Sequence, residues 1–345
     1  KDTYNRYSFE ESSPVANLFL DLRYMIDRDG VSEENPYFDT IHHYGDVYLL
    51  ENNAYLPIGF LADPQILSVD FKSAYSELDQ SNGNWNKLQF QNKLFKAATD
   101  TSNDVWSLVT GNHLSISATG VTITNPTQTG SCNYTANAEG GTVVYKYIAH
   151  DDGYLCIDLY IGLYNSSYGA KNRFSLWKNG TELISDAYSL SQTYGVAQVE
   201  SGDVIELHVE CTGNEEGYIS AHAGVLDEDV FRAGYDILSA STLQLETFKN
   251  TYLEGTINCD RNGVLYTSIP QDGNWIAMVD DSPTELIEIG DAMVGLLLSE
   301  GQHTVRFLYR NYDFIFGCWL SIISTVAFIT ITVVSLKKRF REKTS

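Results

Sequence analysis

The sequence predicts a mainly β protein in which β-sandwich or jelly-roll domains follow a small α/β segment, and one transmembrane helix closes the chain. Two observations predict this architecture. Short runs of alternating apolar and polar residues, separated by Gly and Asn turns, fill residues 99–245 and recur less regularly over residues 246–311. A run of 23 residues without a charge then extends over residues 314–336.

Residues 1–98 are predicted to form a mixed α/β segment. The pattern indicates a short helix running into a strand, then a hairpin that turns at Gly45, a further strand, and a helix with one apolar face. These elements are predicted at residues 15–26, 37–43 with 46–51, 56–61 and 86–98.

In residues 99–245 the apolar residues recur with a period of two, which is typical of strands with one buried face. The clearest strand is Val204–Cys211, whose odd-numbered apolar residues are predicted to face the core while Glu206, His208 and Glu210 face water. Further strands are predicted at residues 115–123 with a break at Gly120, and at residues 143–148, 154–163 and 174–177.

Residues 246–311 resemble the preceding segment in three places. Gly153-Tyr-Leu resembles Gly263-Val-Leu, the sequence Thr-Glu-Leu follows a turn at residues 181–183 and 284–286, and turns ending at Gly202 and Gly301 each lead into a final strand. The similarity is compatible with a structural repeat, and equally with two ordinary sandwiches that share turn types.

The run at residues 314–336 is predicted to be a transmembrane helix that begins near Phe314 and ends near Leu336. At about 1.5 Å per residue it is roughly 34 Å long, which exceeds the roughly 30 Å of a hydrocarbon core. Tyr309, Tyr312 and Trp319 lie where an interfacial aromatic belt is expected. The alternative, a buried core helix, fits this length and these flanks poorly.

The nine residues after Leu336 determine the predicted orientation. They contain five basic side chains and one acidic side chain, so the preceding 336 residues carry a formal charge of −27 within a total of −23. A basic cluster beside a span marks the cytoplasmic side. Residues 337–345 are therefore predicted to be a cytoplasmic tail, and the bulk of the chain is predicted to be extracytoplasmic. The basic residues are Lys337, Lys338, Arg339, Arg341 and Lys343.

The acidic composition argues against a nucleic-acid partner, because nucleic acids bind to basic surfaces. The predicted partner of the terminal helix is the lipid bilayer of the cell membrane. The chain starts at Lys1 without a recognisable signal peptide, although an extracytoplasmic region must be exported. We therefore expect it to be the C-terminal part of a larger protein, with a signal or further spans upstream.

Four cysteines precede the span: Cys132, Cys156, Cys211 and Cys259. Their spacing matches no metal site, and Cys156 and Cys211 lie within apolar alternation, where small core residues are expected. The spacing argues against a disulfide-dense scaffold but leaves open a disulfide between two of the four.

The sequence contains no GxSxG, HExxH, Walker loop or GxGxxG before a helix. Acidic residues at 151–152, 227–229 and 280–281 can offer oxygen ligands to Ca²⁺, but none has the spacing of a known loop, so solvated turn acids are the expected interpretation. No catalytic residue, metal ligand or cofactor is predicted.

Trp177 and Trp275 are the candidate ligand-binding side chains. An exposed Trp on a β-sandwich can stack on a sugar ring, and a polar surface rich in Tyr suits a glycan. Core packing is the commoner fate of Trp and stays open for both residues.

Several stretches form an ordered set: NLFLDLRY at 17–24, GDVYLLEN at 45–52 with LPIGFL at 56–61, FQN at 90–92, GVLYTSIP at 263–270 with GNW at 273–275, VDD at 279–281 and GQHTV at 301–305. In this order, ahead of one terminal helix with a basic tail, they resemble the extracytoplasmic C-terminal region of the bacterial YfhO-type multi-pass membrane proteins. The resemblance covers most of the chain and is weakest in detail over residues 100–245.

This resemblance implies a large polytopic protein similar to the GT-C class of glycosyltransferases, which move sugars from a lipid-linked donor to polymers such as lipoteichoic or wall teichoic acid. In that class the catalytic acids lie in an early extracytoplasmic loop, so none is assigned here, and the chain is not expected to be active alone. The implied partners are the N-terminal transmembrane region of the same protein and a cell-surface polysaccharide or teichoic-acid-type polymer.

A hypothesis from another class is a single-pass surface protein with a missing signal peptide, which binds glycans or mediates adhesion. A self-contained hydrolase on a jelly roll ranks third. The upstream sequence discriminates the first two hypotheses, because a YfhO-type protein requires about ten or more apolar runs of roughly 20 residues and the surface protein requires one signal peptide.

Overall fold

A computed structural model of the chain describes residues 13–28, 35–70, 87–164, 172–188 and 192–343. Strands dominate these residues and a long apolar helix follows them, so the predicted mainly β fold with a terminal helix is confirmed. The helices are α1 (Pro14–Phe19), α2 (Lys87–Thr99), α3 (Glu228–Ser239) and α4 (Tyr312–Lys343).

The residues before 100 form the α/β segment that the sequence predicts. Its strands are β1 (Tyr24–Asp27), β2 (Phe38–Tyr44), β3 (Val47–Asn52) and β4 (Gly59–Ala62). Ser13 caps α1, because its Oγ accepts a hydrogen bond from the Ala16 N–H at 3.3 Å. The first three strands form an antiparallel sheet in the order β1-β3-β2, with the predicted hairpin turning through Gly45 at a φ of +58°.

Helix α2, also predicted, joins this segment to the sandwich that follows it. The side-chain amide of Asn92 bonds the backbone of Trp106 twice, donating to its carbonyl at 3.0 Å and accepting from its N–H at 2.7 Å. The Trp106 indole N–H donates to Gln91 Oε1 at 2.8 Å, and Leu88 and Phe95 are fully buried beside it. These buried polar groups are therefore satisfied within one cluster.

The first sandwich consists of two facing antiparallel sheets. Its strands are β5 (Trp106–Leu108), β6 (Leu114–Thr119), β7 (Val121–Thr124), β8 (Ser131–Ala136), β9 (Gly141–Ile148), β10 (Gly153–Leu163), β11 (Arg173–Lys178), β12 (Thr181–Tyr188), β13 (Gln192–Val199), β14 (Val204–Cys211) and β15 (Glu216–Leu226). One sheet has the order β13-β10-β15-β8-β7 with β5 beside β15, and the other has the order β12-β11-β14-β9-β6. Apolar side chains from both sheets form one buried core.

The predicted period of β14 and the predicted break at Gly120 are both confirmed. Ile205, Leu207 and Val209 have no exposed surface, whereas the charged residues between them lie on the other face. Gly120 (φ +71°) separates β6 from β7, which lie in opposite sheets of the sandwich. A Cβ at Gly120 would lie 2.5 Å from the Gly140 carbonyl oxygen, so this crossing between sheets requires glycine.

The second sandwich is smaller and precedes the terminal helix. Its strands are β16 (Gln244–Lys249), β17 (Tyr252–Cys259), β18 (Gly263–Pro270), β19 (Trp275–Val279), β20 (Ser282–Thr284), β21 (Ile287–Ile289), β22 (Met293–Leu298) and β23 (Gly301–Tyr309). One sheet has the order β16-β17-β23-β19-β20, and the other has the order β21-β22-β18-β4.

The two sandwiches share one strand plan. The order β12-β11-β14-β9-β6 matches β20-β19-β23-β17-β16 strand for strand, and β13-β10-β15 matches β22-β18-β4. Two of the three sequence similarities fall at equivalent places, namely the starts of β10 and β18 and the turns that lead into β14 and β23. The third does not, because Thr181 begins β12 whereas Thr284 ends β20. The sheet order therefore favours a structural repeat over a coincidence of turns.

Strand β4 takes the place in the second sandwich that β15 takes in the first. Its residues 59–62 pair antiparallel with residues 264–267 of β18. The sequence indicates a strand at residues 56–61, but no local pattern indicates its partner. One strand of the second sandwich thus comes from residues 1–98, while the domain boundaries at residues 98 and 245 stay predictions.

The four cysteines before the terminal helix are buried free thiols. Desolvation by burial raises the pKa of Cys211 to about 12, and burial likewise raises the pKa of Cys132 and Cys259. The expectation that Cys156 and Cys211 lie in the core is confirmed, and the sandwiches hold together without a disulfide among these residues.

Candidate functional site

Two residues connect the second sandwich to the terminal helix. Strand β23 ends at Tyr309 and α4 begins at Tyr312. Asn311 caps the helix, since its Oδ1 accepts a hydrogen bond from the Phe314 N–H at 2.8 Å, and Arg310 N–H donates to the Asn274 carbonyl at 2.8 Å. The helix therefore follows the last strand of the second sandwich almost directly, at the end of the sandwich that we call its base.

Among the described residues, α4 is the helix that is long and apolar enough to cross a membrane. The candidate span covers Tyr312–Arg339, its most apolar stretch has a mean hydropathy of 2.2, and the protein buries none of that stretch. The predicted anchor residues Phe314, Trp319 and Leu336 keep 69%, 61% and 49% of their surface exposed. Such a surface is stable in a bilayer and unfavourable in water.

Four hydroxyl groups within α4 are satisfied inside the helix, as expected for a span. Ser324 and Thr330 donate to the carbonyl four residues earlier at 2.8 Å, and Thr325 and Thr332 do the same. Lys337, Lys338 and Arg339 continue the helix beyond its apolar part, and the helix extends through Arg341 to Lys343.

Trp275 lies at the base of the second sandwich, next to α4. It is the cross-strand partner of Tyr309, and the two rings meet edge to face with centroids 5.1 Å apart. The Tyr309 hydroxyl donates to Asp272 Oδ2 at 2.7 Å, and this hydrogen bond raises the pKa of Tyr309. The contact thus joins Trp275 to Tyr309, one of the aromatic residues that the sequence places at the membrane interface.

Trp177 lies on the first sandwich, in the sheet that contains β14. It is half-buried, its indole N–H donates to Ser175 Oγ at 3.1 Å, and its ring lies 5.9 Å from the His208 ring. The structure therefore places the two predicted stacking residues on different sandwiches, and binding of a glycan by either one stays a prediction.

A groove of about 660 Å³ opens where the first sandwich meets the N-terminus of α3. It brings together two of the acidic stretches noted in the sequence, residues 151–152 and 227–229, and adds Asp104. Within the described parts of the chain, no three acidic, histidine or cysteine side chains are placed to hold a metal ion together.

The acidic side chains of this groove make structural hydrogen bonds. Asp227 Oδ1 accepts from the Val230 N–H at 3.0 Å and caps α3, a helix that the sequence analysis did not predict. Glu228 accepts from the hydroxyl of Tyr37 and from Arg232 Nε, the latter at 2.7 Å. The acids at 227–229 are thus the first turn of a helix, where negative charge is favourable.

A third region is a group of three partly or fully exposed tyrosines on the outer side of the β10–β15 sheet, which we call the tyrosine face: Tyr160, Tyr164 and Tyr218. The Tyr218 ring centroid lies 5.5 Å from that of Tyr160 and 6.2 Å from that of Tyr164. Tyr218 is the cross-strand partner of Gly162, and a Cβ at Gly162 would lie 2.4 Å from the Tyr218 ring. Glycine at 162 therefore lets this ring lie directly against strand β10.

The tyrosine face is not evident from the sequence. Tyr160 lies in β10, and Tyr164 directly follows the last residue of that strand; its N–H donates to the Glu216 carbonyl at 3.0 Å, which continues the pairing with β15 by one residue. A spacing of four residues along such an extended segment favours the same side of the sheet. Their partner Tyr218 joins them only through the pairing of β10 with β15, which no local pattern specifies.

Beside the tyrosine face, His222 is buried in a chain of hydrogen bonds. Its Nδ1–H donates to the Thr129 carbonyl at 2.5 Å, and its Nε2 accepts from Ser220 Oγ at 2.8 Å. Desolvation lowers the pKa of His222 to about 4. The imidazole is therefore neutral at neutral pH, and its proton is on Nδ1.

We expect His222 to make the protein less stable in mild acid. Its pKa falls from 6.5 to about 4 on folding, so the unfolded state binds the proton first. The free energy of unfolding should then decrease by about 3 kcal/mol between pH 6.5 and pH 4. Thermal unfolding of the chain in detergent micelles at steps of pH measures this decrease, and His222→Asn should remove most of it. An equal decrease in the variant would contradict the assignment.

The chain resembles one known protein family over most of its length. A family described as "Bacterial membrane protein YfhO" matches residues 1–321. Comparison with curated proteins gave no match. Among solved structures, a family 35 carbohydrate-binding module from Clostridium thermocellum is 13% identical, with 35% of this chain and 98% of that chain covered and a TM-score of 0.25. A conserved protein of unknown function from Pseudomonas aeruginosa is 9% identical, with 57% and 93% covered and a TM-score of 0.18.

Proposed function

Because the chain belongs to the YfhO family of bacterial membrane proteins, we propose that it is the extracytoplasmic C-terminal part of such a protein. In this role it assists the transfer of sugars from a lipid-linked donor to a cell-surface polymer of the teichoic or lipoteichoic acid type. The catalytic residues lie in the N-terminal transmembrane region of the same protein, which is its partner, and the basic residues after Leu336 lie in the cytoplasm.

The observation that carries the proposal is the short connection between β23 and α4. From Tyr309 to Tyr312 an extended chain reaches at most about 11 Å, so the second sandwich stays at the membrane surface. A lipid-linked sugar is confined to the same surface. The β-rich body is thus held where an acceptor polymer must meet the donor.

The DNA upstream of Lys1 provides the first test. Several further apolar spans, with an acidic pair in the first outside loop, would agree with the proposal. A lone signal peptide would contradict it, and would favour a single-pass surface protein that binds glycans.

The second test lengthens the connection to the membrane while leaving the fold intact. Inserting about 20 Gly and Ser residues between Arg310 and Asn311 allows a separation of about 25 Å. We expect the sugar content of the purified polymer to fall several-fold in cells that carry this insertion in the full-length protein. The same insertion in the exposed turn Asn179–Gly180 is the matched control and should leave the sugar content unchanged. Equal sugar content with both insertions would overturn the positioning role.

A further inference from the structure

We propose that the tyrosine face binds a neutral glycan chain through its aromatic rings. This inference rests on the proposed function and names the chemical class of the ligand that the first sandwich holds. Four structural features support it: the contact of the central ring with Gly162, the exposure of its neighbours, the polar side chains beside it, and the charge of the protein.

The Tyr218 ring contacts the protein at Gly162 and lies near two further aromatic rings. Tyr160 precedes that glycine by two residues within β10, and Tyr164 follows it by two residues, just beyond the end of the strand. Leu159 and Ile161, which alternate with them, point into the sandwich core. The rings therefore form one continuous surface on the outside of the sheet rather than part of the core.

The exposure of these rings suits a ligand that lies along the sheet. Tyr164 keeps 57% of its surface exposed, and Tyr160 and Tyr218 are partly exposed. The apolar C–H face of a pyranose ring stacks on an aromatic ring, and the tyrosine hydroxyls bond the hydroxyl groups at its edge. The centroid separations of 5.5 and 6.2 Å are comparable to the length of one sugar unit.

Polar groups continue the surface on one side. Asn133 is the cross-strand partner of Tyr218 on β8, and Ser131 is that of Ser220. Ser131 Oγ donates to Ser220 Oγ at 3.3 Å, and Ser220 in turn bonds His222. In this row Asn133 and Ser220 are partly exposed and offer an amide and a hydroxyl group of the kind that recognise sugar hydroxyls, whereas Ser131 and His222 are buried beneath them. The row carries no charge at neutral pH.

The charge of the protein selects against a polyanion. The residues before Lys337 carry a formal charge of −27, so the phosphates of a teichoic-acid backbone are repelled at long range. Neutral sugars are not repelled, and they are also the groups that the proposed transfer adds. The tyrosine face should therefore recognise the sugar substituents of a polymer and not its phosphate backbone.

Binding by the full chain in detergent micelles tests this inference, with calorimetry as the readout. The probes are oligomers of N-acetylglucosamine, oligomers of glucose, and unsubstituted poly(glycerol phosphate). We expect saturable binding of at least one neutral oligomer, at least tenfold weaker binding in Tyr218→Ala and Tyr164→Ala, and retained binding in Tyr218→Phe. Tyr44→Ala is the matched control, because Tyr44 is 86% exposed on β2, far along the chain from this sheet.

Three outcomes would overturn the inference: no binding of either neutral oligomer, binding that depends on Trp177 and not on Tyr218, or equally tight binding of poly(glycerol phosphate). Tyr164→Ala separates loss of binding from misfolding, because removing a ring this exposed costs little core packing. An unchanged unfolding temperature of this variant shows that it remains folded. The linker experiment does not involve these tyrosines. Loss of transfer with the linker but no glycan binding would overturn this inference alone, whereas glycan binding with unchanged transfer would overturn the proposed function alone.

Discussion

Replacing Phe60 with alanine is expected to lower the free energy of unfolding by about 3–5 kcal/mol. Phe60 is 1% exposed on β4, and its ring stacks on that of Tyr266 at 5.1 Å and meets Phe19 edge to face at 5.8 Å. The substitution therefore opens a cavity where the α/β segment joins the second sandwich. Chemical or thermal unfolding of the chain in detergent micelles measures the loss.

The matched control is Phe248→Ala, because Phe248 is 70% exposed on the edge strand β16. Its effect should stay within about 0.5 kcal/mol. Hydrogen exchange adds a second readout, since Phe60→Ala should reduce the protection of α1 and of β18 together. Loss of protection in α1 alone would contradict the view that β4 makes the segment and the second sandwich one folding unit.

Removal of residues 312–345 is expected to transfer the chain from the membrane fraction to the soluble fraction, when both forms are exported behind the same cleavable signal. The apolar part of α4 has no buried surface in the protein, so its loss removes membrane contacts without removing core contacts. Sedimentation after an alkaline carbonate wash measures the distribution.

Deletion of residues 340–345 is the control for this truncation, because it leaves all of Tyr312–Arg339 in place. That variant should stay in the membrane fraction. An unchanged unfolding temperature of the longer truncation shows that the sandwiches remain folded. A truncated chain that still resists the carbonate wash would show that α4 is not the anchor.

Local patterns predicted the elements whose two faces differ in environment. The alternation in Val204–Cys211 defined both faces of β14, and Gly45 marked a hairpin turn, because side-chain period and positive φ are readable within a few residues. The span was predicted for the same reason, since length and the lack of charge are local properties. Helix α2 was also predictable, because its apolar residues recur on one helical face.

Long-range pairing was not predictable in the same way. Nothing within β4 specifies β18, and nothing near Tyr160 specifies Tyr218, because backbone pairing between distant strands leaves no local signature. The acids at 227–229 show a different failure. They match the signal of a helix start, a capping Asp followed by acids in the first turn, and the structure places them there rather than in the solvated turn that their clustering predicts.

The position of β4 in the sequence also determines when the second sandwich can finish folding during synthesis of the chain. At roughly 5–20 residues per second, the roughly 200 residues between β4 and β18 take about 10–40 s to make. Throughout that interval β4 has no strand to pair with in its own sheet, and its open edge is exposed to association with other chains. Strand β4 is therefore made well before β18 and is among the last strands of the second sandwich to complete its pairing.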